Sequence, residues 1–243
     1  MINFDSIKKA RIESNPYEWG FIDDLFSSSD KEKLSAQYPM DHFKSVIGYD
    51  GDKTYEYECR NLIGMGKVSA SFEQNLGDSW LNLSRDLLAP DYRNALSILY
   101  KRDLSTVPME VNVFHYRHGA SIVPHVNTPD YILSHILFFN EDWDDSHGGC
   151  LSILNSNNRD DVFTRVLPIA GHSVLIIRSN QSWYGIEPIK AGAKQSYRLV
   201  TITFYHPGTI STLWPPNEEA KLPTASPVKS DKGFIRRLIE KFF

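Results

Sequence analysis

The spacing of apolar residues changes along the chain, and the change divides it. Phe72, Leu76, Trp80, Leu83 and Leu87 recur at three- and four-residue steps, which places them on one face of a helix. Pro90 closes that helix, and a second is predicted over Tyr92 to Tyr100. Upstream, Met1 to Ile12 reads as a short amphipathic helix broken by Asn15-Pro16. Tyr17 to Phe26 is aromatic-rich and reads as a strand. Ser28 to Asp30 supplies capping side chains for a helix over Lys31 to Gln37. Phe43 to Cys59 is polar, punctuated by Gly48 and Gly51, and reads as a hairpin or loop.

After Pro108 the period becomes that of a strand. Glu110 to Tyr116, Ser121 to Val126, Ile132 to Asn140, Cys150 to Leu154, Val162 to Leu167, Ser173 to Arg178, Trp183 to Pro188 and Ser196 to His206 are short and rich in Val, Ile, Leu and Phe. Turn residues such as D-D-S-H-G-G and N-S-N-N-R-D-D separate them. Strands this closely spaced predict a sandwich or barrel rather than βαβ units, with the preceding helices buttressing a sheet. The division that follows is a helical and mixed part over 1–107, a β core over 108–208, a Pro-rich linker over 209–232 and a short segment over 233–243. That last segment, G-F-I-R-R-L-I-E-K-F-F, places Phe234, Ile235, Leu238, Ile239 and Phe242 on one helix face beside Arg236, Arg237 and Lys241. It would dock on the body of the protein or on a partner chain. Contact with a membrane surface would need a second anchoring signal. A homodimer stays open.

Composition narrows the function classes. With 243 residues the chain can bury a full core. A net charge of −4 and a pI near 6.1 leave no basic footprint for nucleic acid. Cys59 and Cys150 are too few for a disulfide framework, so a reduced, cytoplasmic setting is expected. The N-terminus lacks the apolar core of a signal peptide. No apolar run approaches the roughly 20 residues that span a bilayer.

Four segments carry chemistry: P-H-V-N-T-P-D from Pro124, H-G-G-C-L from His147, S-W-Y-G-I-E-P-I from Ser182 and R-L-V-T-I-T-F-Y from Arg198. Together they resemble the Fe(II)- and 2-oxoglutarate-dependent oxygenases, in particular their prolyl-hydroxylase-like branch. That family's plan is H-x-D on a strand, a G-G-x-L turn, a distal H-x-V/I-x-P and an arginine on the last strand. The resemblance implies a mainly β fold with flanking helices, a double-stranded β-helix (a cupin-like jelly roll). It also implies Fe(II) and 2-oxoglutarate as cofactors, and hydroxylation or oxidation of a small molecule, a peptide or a saccharide.

In H-x-D the two donors stand at i and i+2 of a strand, project to one side and reach one ion. Here the pair is His125 and Asn127, and the distal histidine position holds Tyr184. Asn127 offers a neutral amide oxygen, and Tyr184 would bind metal only as phenolate, although an ordinary phenol has a pKa of about 10. The resemblance makes Arg198 the group that clasps the distal carboxylate of 2-oxoglutarate, and Tyr116 an aromatic lining that pocket; a guanidinium fork suits a carboxylate. Gly148, Gly149, Leu151, Ser182, Trp183, Gly185 and Pro188 match the frame.

Each residue has a plainer reading. His125 would be a polar pocket residue, Asn127 a turn residue before Thr128-Pro129, Tyr184 a ring filling a former metal cavity, and Arg198 a partner in an internal ion pair. His115, His118, His135, His147, His172 and His206 offer replacement donors, and Asp130 a replacement carboxylate. Three functions stay open: an atypical oxygenase with iron weakly held by His125, Asn127 and Tyr184; an inactive relative binding a carboxylate or a partner; and a metal-independent enzyme using Tyr184, His125 and Arg198.

Overall fold

Polar caps start the first helices. In the computed structural model, which describes residues 1–50, 53–67, 70–71, 73–193 and 195–214, the Asn3 side chain accepts from the Ser6 amide and opens α1 (Phe4–Lys9). A short strand β1 (Trp19–Ile22) follows, and Ser27 then caps α2 (Ser28–Ala36) by accepting from the Asp30 amide. The polar Phe43 to Cys59 segment forms a hairpin, β2 (Lys44–Asp50) against β3 (Lys53–Ile63). The apolar stripe makes α3 (Asp78–Leu88), which begins later than its spacing predicts. A 3₁₀ turn over Glu73–Asn75 precedes it and Leu76 stands ahead of the helix, while Phe72 lies outside the described residues. Pro90 ends α3 and also opens α4 (Pro90–Tyr100), because a first-turn proline sacrifices no helical hydrogen bond.

All the strands predicted after Pro108 form, with ends shifted by a residue or two. They are β4 (Met109–Tyr116), β5 (Ile122–His125), β6 (Tyr131–Phe138), β7 (Leu151–Leu154), β8 (Val162–Val166), β9 (Ser173–Ile177), β10 (Tyr184–Ile186) and β11 (Tyr197–Tyr205). Two antiparallel sheets result. The larger has the order β1-β9-β6-β11-β4-β3-β2 and the smaller β5-β10-β7-β8. The architecture is mainly β, a jelly roll with helices packed on its larger sheet. It also differs from expectation. Three strands from before residue 108 extend the larger sheet, so the N-terminal part is more than a helical buttress.

The central strands of the larger sheet, β4, β6, β9 and β11, are buried on both faces, and each face has its own core. Successive strand residues point to opposite sides. On β11, Val200, Ile202 and Phe204 meet Trp80, Leu83, Leu87, Tyr92 and Leu96 of the helices. Tyr197 and Leu199 point the other way, into the interior of the roll with Phe114, Tyr116, Phe138, Leu151, Ile153 and Tyr184. This alternation decides which side chains can reach the interior. Beyond β11 the chain folds back: Ser211 is buried and the Trp214 indole donates to Asn112 Oδ1 at 2.7 Å. Ser211, Leu213 and Trp214 therefore pack on the body, within the segment expected as a linker, while Ile210 stays exposed. The remainder of that linker and the predicted C-terminal helix lie outside the described residues. No described helix is long and apolar enough to cross a membrane.

His135, on the helix-facing side of β6, is sealed between Tyr92 OH at 2.9 Å from Nδ1 and Ser173 Oγ at 3.0 Å from Nε2. Burial lowers its pKa from 6.5 to about 3. The unfolded chain therefore takes up a proton near pH 6.5 that the folded chain refuses until about 3, and stability is lost as the pH falls through that window. Between pH 7.5 and 5, urea unfolding is expected to show a loss of about 1–2 kcal/mol from this group. A His135→Gln variant should lack that increment; an equal loss in the variant would refute the assignment.

Candidate functional site

Strand pairing brings the candidates together. β5 and β10 are antiparallel neighbours with Tyr184 opposite His125, and the two rings lie 4.3 Å apart between centroids. The loop before β10 is fixed from several sides: the Ser182 hydroxyl donates to the Ser179 carbonyl at 2.9 Å, and Tyr17 OH donates to the Trp183 carbonyl at 2.7 Å. The G-G turn supports the same end of the roll. Gly148 and Gly149 both have positive φ, and a Cβ on Gly149 would strike the Trp143 and Tyr197 rings. Trp143 in turn donates to the Gly148 carbonyl at 2.8 Å.

Asn127, two residues past His125, turns its side chain to Tyr184. The Tyr184 hydroxyl donates to Asn127 Oδ1 at 2.9 Å, and Asn127 Nδ2 donates to Ser134 Oγ at 3.3 Å. Both residues are buried, 8% and 7% exposed, so this pair excludes water from the point where the ligand-bearing strands meet. Burial, helped by nearby Tyr131, holds the Tyr184 phenol far above its ordinary pKa, and the bond to Asn127 only partly offsets this. His125 Nδ1 lies 3.0 Å from the Val123 carbonyl. A carbonyl only accepts, so Nδ1 carries the proton and Nε2 the lone pair.

These donors do not fit an Fe(II) ion. The set is a neutral imidazole, an amide oxygen already accepting a hydrogen bond, and a phenol that stays protonated at neutral pH. None brings negative charge to a dication, whereas the facial arrangement of non-haem iron needs two imidazoles and a carboxylate. Among the described residues no group of three His, Cys, Asp or Glu side chains is placed to hold a metal. The replacement histidines do not fill the gap. His115 and His135 sit on the helix-facing side of the sheet, bonded to Glu58 and to Tyr92 with Ser173.

Tyr116 does share the interior with Tyr184: its ring meets Tyr197 edge-on at 5.7 Å, and burial among Tyr57, Tyr197 and Tyr184 raises its phenol well above 10. Arg198 does not, and the expectation for it is corrected here. It has the same strand parity as Val200 and Ile202, so it points at the helices. Its Nη1 donates to the Ser35 carbonyl at 3.1 Å and its guanidinium lies 5.3 Å over the Tyr38 ring. Arg198 docks α2 onto the sheet and cannot clasp a ligand in the roll.

Other residues reach the site instead. Arg178, just past β9, donates from Nε to the Asn127 carbonyl at 3.3 Å. On the interior face, Thr203 of β11 stands between Ser134 of β6 and Glu110 of β4, which continues the polar row from Asn127 across the sheet. Glu110 and Asn112 alternate with Val111 and Val113 in the sequence, and that alternation was their only signal.

No protein-family model matches this sequence, and no curated protein sequence does. Solved structures do match. A prolyl hydroxylase of Trichoplax adhaerens, in complex with a hypoxia-inducible-factor peptide fragment, superposes with a TM-score of 0.57 at 13% identity, covering 83% of this chain and 88% of that one. A prolyl 4-hydroxylase of Phytophthora capsici gives 0.56 at 16% identity, over 98% of this chain and 76% of that one. The non-heme alpha-ketoglutarate-dependent epimerase SnoN, from nogalamycin biosynthesis, gives 0.52 at 13% identity, over 88% and 91%. The chain therefore shares its fold, a double-stranded β-helix, with these oxygenases.

The Tyr184–Asn127 bond has a measurable consequence. Tyr184→Phe leaves a buried amide oxygen without its donor and is expected to cost about 1–3 kcal/mol in urea unfolding. In a double-mutant cycle with Asn127→Leu, the two losses should be non-additive by at least ~0.5 kcal/mol. Strict additivity would show that the bond does not stabilise the fold.

Proposed function

We propose that this protein uses the oxygenase roll as a metal-free binding cavity for a small molecule, or for a side chain of a peptide or saccharide. The observation that carries this reading is the buried hydrogen bond from the Tyr184 hydroxyl to Asn127 Oδ1 at 2.9 Å. Two of the three positions that would grip an ion grip each other. An incoming Fe(II) would have to break that bond and find no anionic ligand in return, and a lost inner ligand weakens metal binding more than the 10- to 100-fold typical of outer-shell changes. The outward turn of Arg198 supports the same reading from the cosubstrate side. With no guanidinium from β11 in the interior, 2-oxoglutarate loses the partner that the sequence resemblance assigned to it.

The second reading is an atypical oxygenase. It is favoured by the convergence of His125, Asn127 and Tyr184 on one point, with His125 Nε2 carrying a lone pair. One experiment separates the two. The protein is incubated anaerobically with Fe(II) and 2-oxoglutarate, desalted, and analysed for bound iron, with succinate measured after admission of air. Iron well below one per chain and no succinate are expected. The Asn127→Asp, Tyr184→His double variant, which rebuilds H-x-D and the distal histidine, is expected to retain iron. Near-stoichiometric iron with succinate from the unaltered protein would establish the atypical oxygenase instead.

A further inference from the structure

The interior of the roll contains a carboxyl group that its surroundings leave half-satisfied. Glu110 is 0% exposed. Its Oε1 accepts from Asn112 Nδ2 at 2.8 Å and from the Tyr205 hydroxyl at 3.5 Å. Its Oε2 is buried and makes no well-formed hydrogen bond among the described residues, the Ser211 hydroxyl acting on the carboxyl only as a looser donor. Buried acids are ordinarily paired with a cation or fully hydrogen-bonded, since an unmatched one costs several kcal/mol. Here the side chains acting on it are Ser211, Asn112 and Tyr205, all uncharged, and burial dominates, raising its pKa.

Its setting is specific. Asn112 is itself held by Asn61 Nδ2 at 3.0 Å and by the Trp214 indole at 2.7 Å, which fixes the side that presents Glu110 Oε1 with a donor. Tyr205 and Tyr131 meet edge-on, 4.8 Å between centroids, and the Tyr205 hydroxyl reaches the carboxyl at 3.5 Å, so this aromatic pair stands beside it. Of the interior-facing positions on β4, β6, β9 and β11, Glu110 alone bears a charge, because the parity of β11 sends Arg198 to the other face. The row Glu110–Thr203–Ser134 joins this carboxyl to Asn127 and Tyr184. At one strand spacing per step, Glu110 and Ser134 are about 10 Å apart.

We propose that the roll receives an alkylammonium group at Glu110 Oε2, beside the Tyr131 and Tyr205 rings, and discriminates against dicarboxylates. The ammonium supplies the missing donors and the counter-charge, and an aromatic face adds cation–π attraction. A dicarboxylate would face the like charge of Glu110, and the guanidinium at the far end of the polar row, Arg178, is engaged by the Asn127 carbonyl. This deepens the metal-free reading and rests on it.

The test is binding in the presence of EDTA, followed through the Trp214 indole N–H resonance, assigned with Trp214→Phe. Probes are n-butylammonium, Nα-acetyl-lysine amide, glucosamine and 2-oxoglutarate. A saturable shift is expected with the ammonium compounds and none with 2-oxoglutarate; the tighter of the lysine and amino-sugar probes identifies the source. Glu110→Gln, equal in shape but uncharged, should weaken ammonium binding at least tenfold. Tyr131→Leu should weaken it several-fold and serves if Glu110→Gln fails to fold. Unchanged ammonium affinity in whichever variants fold, no ammonium binding at all, or saturable 2-oxoglutarate binding would overturn the proposal. Failure of the metal-free reading would register separately, as iron retained by the unaltered protein in elemental analysis.

Discussion

Burial of the larger sheet's central strands on both faces is the constraint on which the rest depends. β11 lies in its middle, between β4 and β6, and each of its residues must commit to one of two cores. Tyr197 and Leu199 enter the roll; Val200, Ile202 and Phe204 enter the layer under α3 and α4. A slip of one residue would exchange the two sets. Trp80, Tyr92 and Phe204 anchor one side of this arrangement and the aromatic interior the other. Arg198 follows from it, because a guanidinium at that parity meets Ser35 and Tyr38 on the helix side.

The same constraint shapes the chemistry. A strand covered on both faces can carry polar residues inward only where they satisfy one another, and the roll does this in a continuous series. Tyr184 bonds Asn127, Asn127 bonds Ser134, and across Thr203 the series reaches Glu110, Asn112 and Asn61. Such networks carry a high cost when incomplete. This polar series runs along one part of the roll, while Tyr, Phe and Trp side chains pack the rest. The outcome is a buried acid, Glu110, inside, Arg198 turned outward, and among the described residues no group of three His, Cys, Asp or Glu side chains placed to hold a metal.

Much of the fold was legible in the residues. Turn clusters and short runs of Val, Ile and Phe located the strands after Pro108, since those residue types fit a pleated, buried surface and Gly, Asn and Asp do not. The stripe Trp80, Leu83 and Leu87 located α3, although its start was misplaced because Leu76 continues the period ahead of the helix. The polar composition of Phe43 to Cys59 left hairpin and loop open. Long-range pairing of β3 with β4 made it a strand pair and added it to the larger sheet, a contact that local composition does not encode.

For the site, residue chemistry alone determined that Asn127 and Tyr184 cannot supply the charge an Fe(II) site draws on, because an amide and an ordinary phenol are neutral at physiological pH. It also set the i and i+2 spacing of His125 and Asn127, although β5 ends at His125 and Asn127 stands just past it. What only the tertiary structure decided was which face each strand shows to which core. A period of two makes two sides distinct but leaves unsaid which is the interior when both are buried. That choice turned Arg198 away from the interior of the roll and Glu110 into it, and it set the Tyr184 hydroxyl against Asn127.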